Sequence, residues 1–250
     1  MKITVAILAH NEEKNIRKCL ESFLSLPWVG EIVVIDDYSV DETVKIAEDL
    51  GAKIYKRKLA GDFAAARNYT LSKSLYDWTL FVDSDERISS ELADEISRLE
   101  LLKQSGYSIK RVDHLWGKSL RYGDVSNVWL TRLVKKGTGK WERRVHEVWI
   151  GKEKAKIGRL SGVINHYPHQ SVGEFIESVR KYALLHSRAL QAQGKVTNVC
   201  EVIFYPVGKF ILNYLVKLGL LDGTAGFVHA MIMSFHSFIA RAELLIADEK

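Results

Sequence analysis

The sequence predicts an α/β fold in which helices flank a mixed, mostly parallel sheet and a helical C-terminal extension follows. The chain has 250 residues, of which 47% are hydrophobic, so it can bury a substantial core. Short apolar runs alternate with helical patterns in the first half, whereas only helical patterns follow Ser171. A charged content of 27% and only three prolines argue against long disordered segments.

Four pairs of a strand and a helix account for the first hundred residues. Such an alternation is typical of a parallel sheet that helices cover on both faces. Ligands bind at the carboxyl ends of these strands, so the loops there should carry the chemistry. The predicted strands are Ile3–Leu8, Glu31–Ile35, Lys53–Tyr55 and Trp78–Val82, and the predicted helices are Glu12–Leu26, Asp41–Leu50, Asp62–Ser74 and Ser90–Leu101.

The helical period fades at about Gly106, where β-type runs begin. The runs Val128–Val134, Val145–Ile150 and Leu160–Ile164 predict further strands that complete a mixed sheet. An amphipathic helix is then predicted at Val172–Gln193. The middle of the chain therefore extends the sheet, and the tail leaves it.

Two very apolar helical segments, Val199–Leu221 and Ala225–Ile246, end the extension. Lys209 and Lys217 interrupt the first, and glycine, histidine and serine dilute the second, so neither has the charge-free pattern of a membrane-spanning helix. Three interpretations stay open: buried packing, docking onto an anionic membrane leaflet, and insertion across the membrane.

The net charge, the cysteines and the first residues indicate which partners and which cellular location to expect. A net charge of +5 permits attraction to nucleic acid, acidic lipid or phosphorylated substrates, but no nucleic-acid recognition motif is present, so nucleic acid is not expected as a partner. Basic residues gather between Lys103 and Arg159, as a solvated face or an anion-binding surface. Cys19 and Cys200 form no metal-binding motif and should be reduced. The apolar run Ile3–Ala9 is too short for a signal peptide, so we expect a cytoplasmic protein, with a peripheral position on the inner membrane as a variant.

Polar and acidic loops follow three of the predicted strands. The loop Ala9–Glu13 follows the first strand, Asp36–Ser39 the second and Asp83–Glu86 the fourth. Carboxylates that converge on one edge of a sheet repel each other unless a cation or hydrogen-bond donors offset them. Asp83 and Asp85 could together hold Mg²⁺ or Mn²⁺, which prefer oxygen ligands and would bridge to a diphosphate. A solvated turn with helix-capping acids is the alternative.

These motifs resemble the inverting family 2 glycosyltransferases, which have the GT-A nucleotide-diphospho-sugar transferase fold. The resemblance covers about the first hundred residues well. Three short motifs, Val145–Glu147, Asn165–Tyr167 and Leu221–Gly223, are similar to the subgroup of lipopolysaccharide core β-glucosyltransferases. The four motifs that carry the family resemblance are Ala9-His10-Asn11-Glu12-Glu13, Ile35-Asp36-Asp37-Tyr38-Ser39 with Asp41-Glu42-Thr43, Ala64-Ala65-Ala66-Arg67-Asn68, and Trp78 to Glu86.

The resemblance implies transfer of a sugar, glucose or a similar hexose, from a UDP-sugar to an acceptor hydroxyl. The reaction would be a metal-assisted single displacement, and the acceptor a glycan or a lipid-linked molecule in lipopolysaccharide or other cell-surface glycan assembly. Residues 1–105 would form the donor-binding half, residues 106–170 the acceptor-binding part of the same domain, and residues 171–250 the helical extension. The implied donor contacts are Ala9, His10, Asn11, Glu13, Asp37, Arg67, Asp83, Ser84 and Asp85, and the implied metal ligands are Asp83, Asp85 and His166.

Inversion at the anomeric carbon requires one base that takes the proton of the attacking hydroxyl. The resemblance implies Glu147 for this role, with Asp113 or Asp124 as the other candidates. His169 is the alternative to His166. Arg67 either contacts the donor phosphates or forms a surface ion pair with Asp62. At most two of the tryptophans in the acceptor region are expected in the site, the rest packing in the core; they are Trp116, Trp129, Trp141 and Trp149.

Two other classes of protein compete with a glycosyltransferase. A sugar nucleotidyltransferase would begin with a glycine-rich loop for a triphosphate, and the first loop here, Ala9–Glu13, contains no glycine. A non-catalytic, membrane-docking module that binds nucleotide would suit the apolar tail, but it would have no need for concentrated carboxylates.

Overall fold

The computed structural model describes residues 2–99, 104–144, 146–153 and 155–248. The chain divides into two compact units. The first, here the sheet unit, comprises Met1–Arg111 and Val128–His166. The second, here the helical unit, comprises Val112–Asn127 and Tyr167–Lys250. All the residues assigned from the sequence to the donor, the metal and Glu147 belong to the sheet unit.

The sheet unit is built on strands that run in the order β3, β2, β1, β4, β8, β6, β11, β5. The first four of these in the sheet are parallel, and β8 is antiparallel to β4. The strands are β1 (Ile3–Ala9), β2 (Val29–Asp36), β3 (Lys53–Lys56), β4 (Trp78–Asp83), β5 (Glu86–Ile88), β6 (Gly106–Leu115), β7 (Lys118–Ser119), β8 (Val128–Lys135), β9 (Gly139–Glu142), β10 (Val148–Gly151) and β11 (Ile157–His166). The helices of both units are α1 (Ile16–Leu24), α2 (Thr43–Asp49), α3 (Phe63–Lys73), α4 (Ser90–Arg98), α5 (Val172–Ala192), α6 (Val199–Ile211) and α7 (Gly223–Asp248).

The core of the sheet unit lies around β1, in which every residue is buried. Strand β1 reads as a continuous apolar run because helices cover both faces of a parallel sheet. Leu20 and Phe23 of α1 pack into this core with no solvent exposure. Asp62 and Ser89 begin α3 and α4, since each side chain accepts a hydrogen bond from a backbone N–H in the first turn. Rigid strands therefore support the loops that follow them.

The register of the central strands brings three strand ends together. Ala9 at the end of β1 pairs with Asp36 of β2, and Leu8 pairs with Asp83 of β4. On the antiparallel side, His166 at the end of β11 pairs with Glu86 of β5. The acidic loops thus meet at one edge, as the sequence predicts.

The four predicted strand and helix pairs are confirmed, with shifts of a few residues at their ends. Helix α1 begins at Ile16 because residues 12–15 form a turn. The predicted strands after Gly106 are confirmed as β8, β10 and β11. Strands β8 and β11 join the main sheet as predicted, whereas β10 pairs with β9 in a separate two-stranded sheet. Val145 and Leu101, at two predicted boundaries, lie outside the described residues. Strands β5, β6, β7 and β9 were not predicted.

The helical segment predicted at Val199–Leu221 is confirmed in part, because the helix is interrupted before Leu221. Helix α6 ends at Ile211, and a π-helical turn follows at Leu212–Val216. Leu218 then has a left-handed backbone with φ 59°. Close packing explains the break: a Cβ at Gly226 of α7 would lie 2.0 Å from the carbonyl oxygen of Gly219. The chain therefore turns where glycine permits two backbones to meet.

The helical unit has its own core, to which α5 and α7 contribute Phe175, Val179, Ala225 and Ile232. Asp222 accepts hydrogen bonds from the backbone N–H groups of residues 121 and 122, and this ties the segment 112–127 to the turn before α7. Unlike the sheet unit, the helical unit leaves many large apolar side chains exposed.

Candidate active site

The loops after β1 and β2 lock each other in place. The Asn11 side chain accepts a hydrogen bond from the N–H of Val40 at 2.9 Å, and the Asn11 N–H donates to the hydroxyl of Ser39 at 2.9 Å. Nδ1 of His10 lies 2.8 Å from the carbonyl oxygen of Asp37. Asn11 has a left-handed backbone with φ 54°, a conformation that asparagine tolerates better than most residues. The predicted donor residues His10 and Asn11 are exposed on a rigid rim.

The acids of these two loops differ in their surroundings. Asp36 is fully buried and accepts from the N–H of Ser39, so it shapes the loop. Asp37 accepts from the N–H of Leu59 at 2.9 Å, and Glu13 accepts from the N–H of Glu42 at 3.2 Å. Glu13 is also exposed to solvent. A carboxylate has several acceptor positions, so both Asp37 and Glu13 can still accept from a ligand hydroxyl.

A chain of five charged side chains lies at the end of β4. Asp83 accepts from Nη2 of Arg67 at 2.9 Å and from Nη2 of Arg132 at 2.7 Å. Arg132 also donates to Glu86 at 2.8 Å, and Nε of Arg67 donates to Glu147 at 2.7 Å. Both arginines are almost fully buried. Buried charges are costly unless they are paired, so each member of this network depends on its neighbours.

The pKa values of two carboxyl groups in this network are shifted in opposite directions. Burial acts to raise the pKa of Asp83, but the charges of Arg132 and Arg67 outweigh it and hold that pKa well below its usual range. Burial raises the pKa of Glu86 to about 7, although Arg132 opposes this shift. Asp83 is therefore the firmly ionised carboxylate of the pair, and Glu86 takes up a proton much more readily.

Asp85 and His166 form a second pair beside this network. Nε2 of His166 lies 3.2 Å from Oδ2 of Asp85, and their side chains are 13% and 23% exposed. Imidazole and carboxylate are common metal ligands. Across the described residues, no group of three histidine, cysteine or acidic side chains could hold a metal ion. The chain thus offers two adjacent ligands, and a donor diphosphate or water would have to complete the shell. Ser84, between the two aspartates, is buried.

Arg67 is not the surface residue that one sequence interpretation allows. Asp62, its proposed ion-pair partner, instead caps α3 and lies 3.9 Å from Arg144, so that alternative is wrong. The Arg67 guanidinium lies 5.1 Å from the ring centre of Trp141 and 5.3 Å from that of Phe81. Two aromatic rings and two carboxylates therefore fix its position.

The other base candidates and most tryptophans lie elsewhere. Asp113 and Asp124 belong to the helical unit, and Asp124 binds Lys209 and Lys217 there. His169 also belongs to the helical unit and stacks on Phe175. Core packing is confirmed for Trp141 and Trp149, whereas Trp129 lies beneath the guanidinium of Arg159 and Trp116 is 37% exposed.

Sequence reasoning missed Arg132 and gave Glu86 no role. Arg132 stands in the apolar run Leu130–Val134 of β8, where a charged residue must either face solvent or find buried partners. Its position inside a predicted strand was the available signal. The partners themselves could not be read from the sequence, since Asp83 lies 49 residues away.

The comparisons with known proteins identify a family and a fold. The profile of the glycosyl transferase family 2 matches residues 4–160. An uncharacterized glycosyltransferase of Rickettsia felis is 28% identical over 256 residues, which is 97% of this chain and 89% of that protein. A counterpart in Rickettsia typhi is 26% identical over 257 residues, with 97% and 86% coverage. The crystal structure of S. aureus TarS residues 1–349 superposes with a TM-score of 0.52 at 16% identity, covering 95% of this chain and 91% of that one. The predicted glycosyltransferase fold is confirmed.

Proposed function

The chain belongs to glycosyl transferase family 2, and we propose that it moves a hexose from a UDP-sugar to an acceptor hydroxyl with inversion. The observation that carries the proposal is the meeting of three strand ends, at β1, β2 and β4, together with the pair of Asp85, which follows β4, and His166, which ends β11. A structure of TarS in complex with UDP-GlcNAc, with a TM-score of 0.51 at 17% identity, has the same fold. UDP is the nucleotide we favour on that support.

The donor nucleotide would lie against the rigid rim formed by Ala9, His10 and Asn11. Glu13 and Asp37 would accept hydrogen bonds from the ribose hydroxyls or from the base N–H. Arg67 already binds two carboxylates, so its predicted contact with the phosphates would require a rearrangement. We therefore assign it first to holding Asp83 and Glu147 in position.

The residues at the sheet edge fit a divalent cation, Mg²⁺ or Mn²⁺. Asp85 and His166 are close enough to share one ion and are both partly exposed. Asp83, the third predicted ligand, has both oxygens bound by arginines, so its metal role stays a prediction. When bound, the ion would neutralise the negative charge that develops on the leaving diphosphate.

Glu147 is the proposed base. Its side chain is 17% exposed, and the bond from Nε of Arg67 fixes one of its oxygens. The other oxygen could accept the proton of the acceptor hydroxyl as that hydroxyl attacks the anomeric carbon. The buried arginine fixes the orientation of the base and leaves one carboxylate oxygen accessible to the acceptor. Of the three carboxylates considered for this role, Glu147 is the one in the sheet unit.

We propose glucose or a related hexose as the sugar, and lipopolysaccharide or another cell-surface glycan as the product. The support comes from short motifs, among which Asn165–Tyr167 contains His166 and Leu221–Gly223 contains Asp222. In the structure Asp222 serves a turn, so that motif supports a shared fold more than a shared acceptor.

The test is the release of nucleoside diphosphate from a panel of UDP-, GDP- and ADP-sugars by the full chain, with Mg²⁺, Mn²⁺ or a chelator. We expect slow hydrolysis of a UDP-sugar that stops with the chelator and in Asp85→Asn. Asp94→Asn, which changes an exposed acid on α4, is the matched control and should behave like the wild type. Hydrolysis of no sugar, or unchanged hydrolysis in Asp85→Asn, would contradict the proposal.

A further inference from the structure

Helix α7 exposes its three phenylalanines and Met231, whereas most of its buried residues are small or polar. Phe227, Met231, Phe235 and Phe238 form one stripe along the helix, each with 42 to 48% of its surface exposed. The buried side of α7 contains two large apolar residues, Ile232 and Leu244, and otherwise small or polar ones: Ala225, Gly226, His229, Ala230, Ser234, Ser237 and Ala240. A helix that packs on a core in water has the opposite arrangement. Small residues between helices and large apolar residues outside are typical of packing in lipid.

Helix α6 extends the same apolar character. None of its residues is buried, and Ile203, Phe204, Val207 and Ile211 are each at least 44% exposed. The exposed Leu212, in the turn after α6, continues this face, and residues of α6 with Leu212 line an open depression of about 520 Å³. Together α6 and α7 present a broad surface that water would solvate poorly.

Both segments are long and apolar enough to cross a membrane. Val199–Val216 and Gly219–Ala247 each have a mean hydropathy of 1.4, and only 6% and 33% of these windows are buried. Spanning is nevertheless disfavoured, because Lys209 and Lys217 are bound to Asp124 and one side of α7 packs against α5. Only the exposed face of α6 and α7 is therefore left to contact lipid.

Two cations, Lys195 and Arg241, flank the apolar segments of this face. Residues 223–240 contain no lysine, arginine, aspartate or glutamate, and Lys195 lies just before α6. Arg241, beyond this stretch, lies 3.3 Å from the ring centre of Tyr205, a cation and aromatic pair suited to a headgroup layer. The whole chain carries a net charge of +5. We propose that the exposed face of α6 and α7 docks into one leaflet of an anionic lipid bilayer, so that the chain is a monotopic membrane protein.

Flotation of the full chain with vesicles tests this proposal. Vesicles of phosphatidylcholine mixed with phosphatidylglycerol should carry the wild type, and vesicles of phosphatidylcholine alone should carry less. Replacing Phe227, Met231, Phe235 and Phe238 by glutamine should reduce the bound fraction by at least about tenfold, because each side chain loses the free energy of apolar burial in lipid. These side chains are exposed, so the variant should keep its fold, which circular dichroism checks.

The matched control replaces two exposed leucines of the sheet unit, Leu24→Gln with Leu75→Gln, and should float like the wild type. A charge variant, Lys195→Glu, should weaken the preference for anionic vesicles and keep its thermal unfolding midpoint. Equal flotation of the wild type and the glutamine variant would overturn the proposal. So would a lipid-free dimer that the glutamine variant converts to a monomer while the wild type does not float, since a second copy would then cover the face.

Discussion

Phenylalanine is placed differently in the two units of this chain, since the helical unit buries Phe175 but exposes most of its other phenylalanines. In the sheet unit Phe23 and Phe81 are fully buried. In the helical unit Phe227 and Phe235 are exposed while Ser234 is buried. The sheet unit therefore buries most of its large apolar side chains, as a protein folded in water does. The exposed phenylalanines of the helical unit would be buried if a nonpolar environment such as lipid covered them.

The units also differ in how their charged side chains are paired and how deeply they are buried. In the sheet unit two guanidinium groups and three carboxylates form one connected network at the strand ends. In the helical unit Asp124 binds two lysines of the α6 region, and all three side chains are at least one-fifth exposed. Charge buried in a network is expensive to disturb, whereas a half-exposed pair contributes little. Substitutions of phenylalanine or of charged residues should therefore have effects of different size in the two units.

The largest effect is expected from Arg132→Leu in the sheet unit. It removes the cation that Asp83 and Glu86 share, which should lower the free energy of unfolding by about 3–5 kcal/mol. Urea denaturation measures this loss. Arg98→Leu, at an exposed position on α4, is the control and should change stability by less than about 0.5 kcal/mol. Similar losses in the two variants would mean that the network does not stabilise the fold.

The same phenylalanine substitution should have unequal effects in the two units. Phe23→Ala opens a cavity in a fully buried core and should cost at least about 3 kcal/mol. Phe235→Ala removes a side chain that is 45% exposed, so in detergent-free buffer it should cost less than about 1 kcal/mol. Thermal and urea unfolding of both variants measures the contrast. A comparable cost at Phe235 would show that this side chain packs within the protein after all.

Glu147→Gln should impair the chemical step. Loss of a base lowers kcat by about a hundredfold or more, or about 3 kcal/mol in the barrier, while the KM for the donor should hardly change. Because the amide oxygen of the introduced glutamine would still accept from Arg67, the fold and Asp83 should keep their positions. The kcat-against-KM split is measured with the donor found by the hydrolysis panel. A raised KM with normal kcat would instead assign Glu147 to donor binding.

The smallest effect is expected from Asp124→Asn in the helical unit. Burial acts to raise the pKa of Asp124, but bonds from Lys209 and Lys217 lower it to about 2. Because the folded pKa lies below the ordinary value, the ionised carboxylate stabilises the fold at neutral pH, by about 1–2 kcal/mol after allowance for its exposure. That stability should be lost as pH falls from about 4 to about 2. A difference between variant and wild type that stays constant across this range would contradict the assignment.

Part of this contrast could be predicted from the sequence. The alternation of apolar runs and helical patterns predicts β1 to β4, and the shared direction of parallel strands predicts that their loops converge. The role of Arg132 could not be predicted, since its partner Asp83 is reached only through the pairing of β4 with β8. The same holds for Asp85, whose neighbour His166 comes from β11.

The helical unit was harder to predict, for a different physical reason. Hydropathy identified two apolar segments but could not tell which side of each would be buried. The break after Ile211 depends on the contact between Gly219 and Gly226, which joins residues of two elements. Only the packed structure shows that small residues of α7 face inward and its phenylalanines outward.

The central claim is that the acidic edge of the sheet unit binds a nucleoside diphosphate together with a divalent ion held by Asp85 and His166. Calorimetric titration of the full chain with UDP in the presence of Mn²⁺ tests it most directly. The account predicts binding by the wild type and by Asp94→Asn, affinity reduced by at least about tenfold in Asp85→Asn, and a similar loss when a chelator replaces the ion. Equal affinity for UDP with and without the ion, or in Asp85→Asn and the wild type, would contradict it.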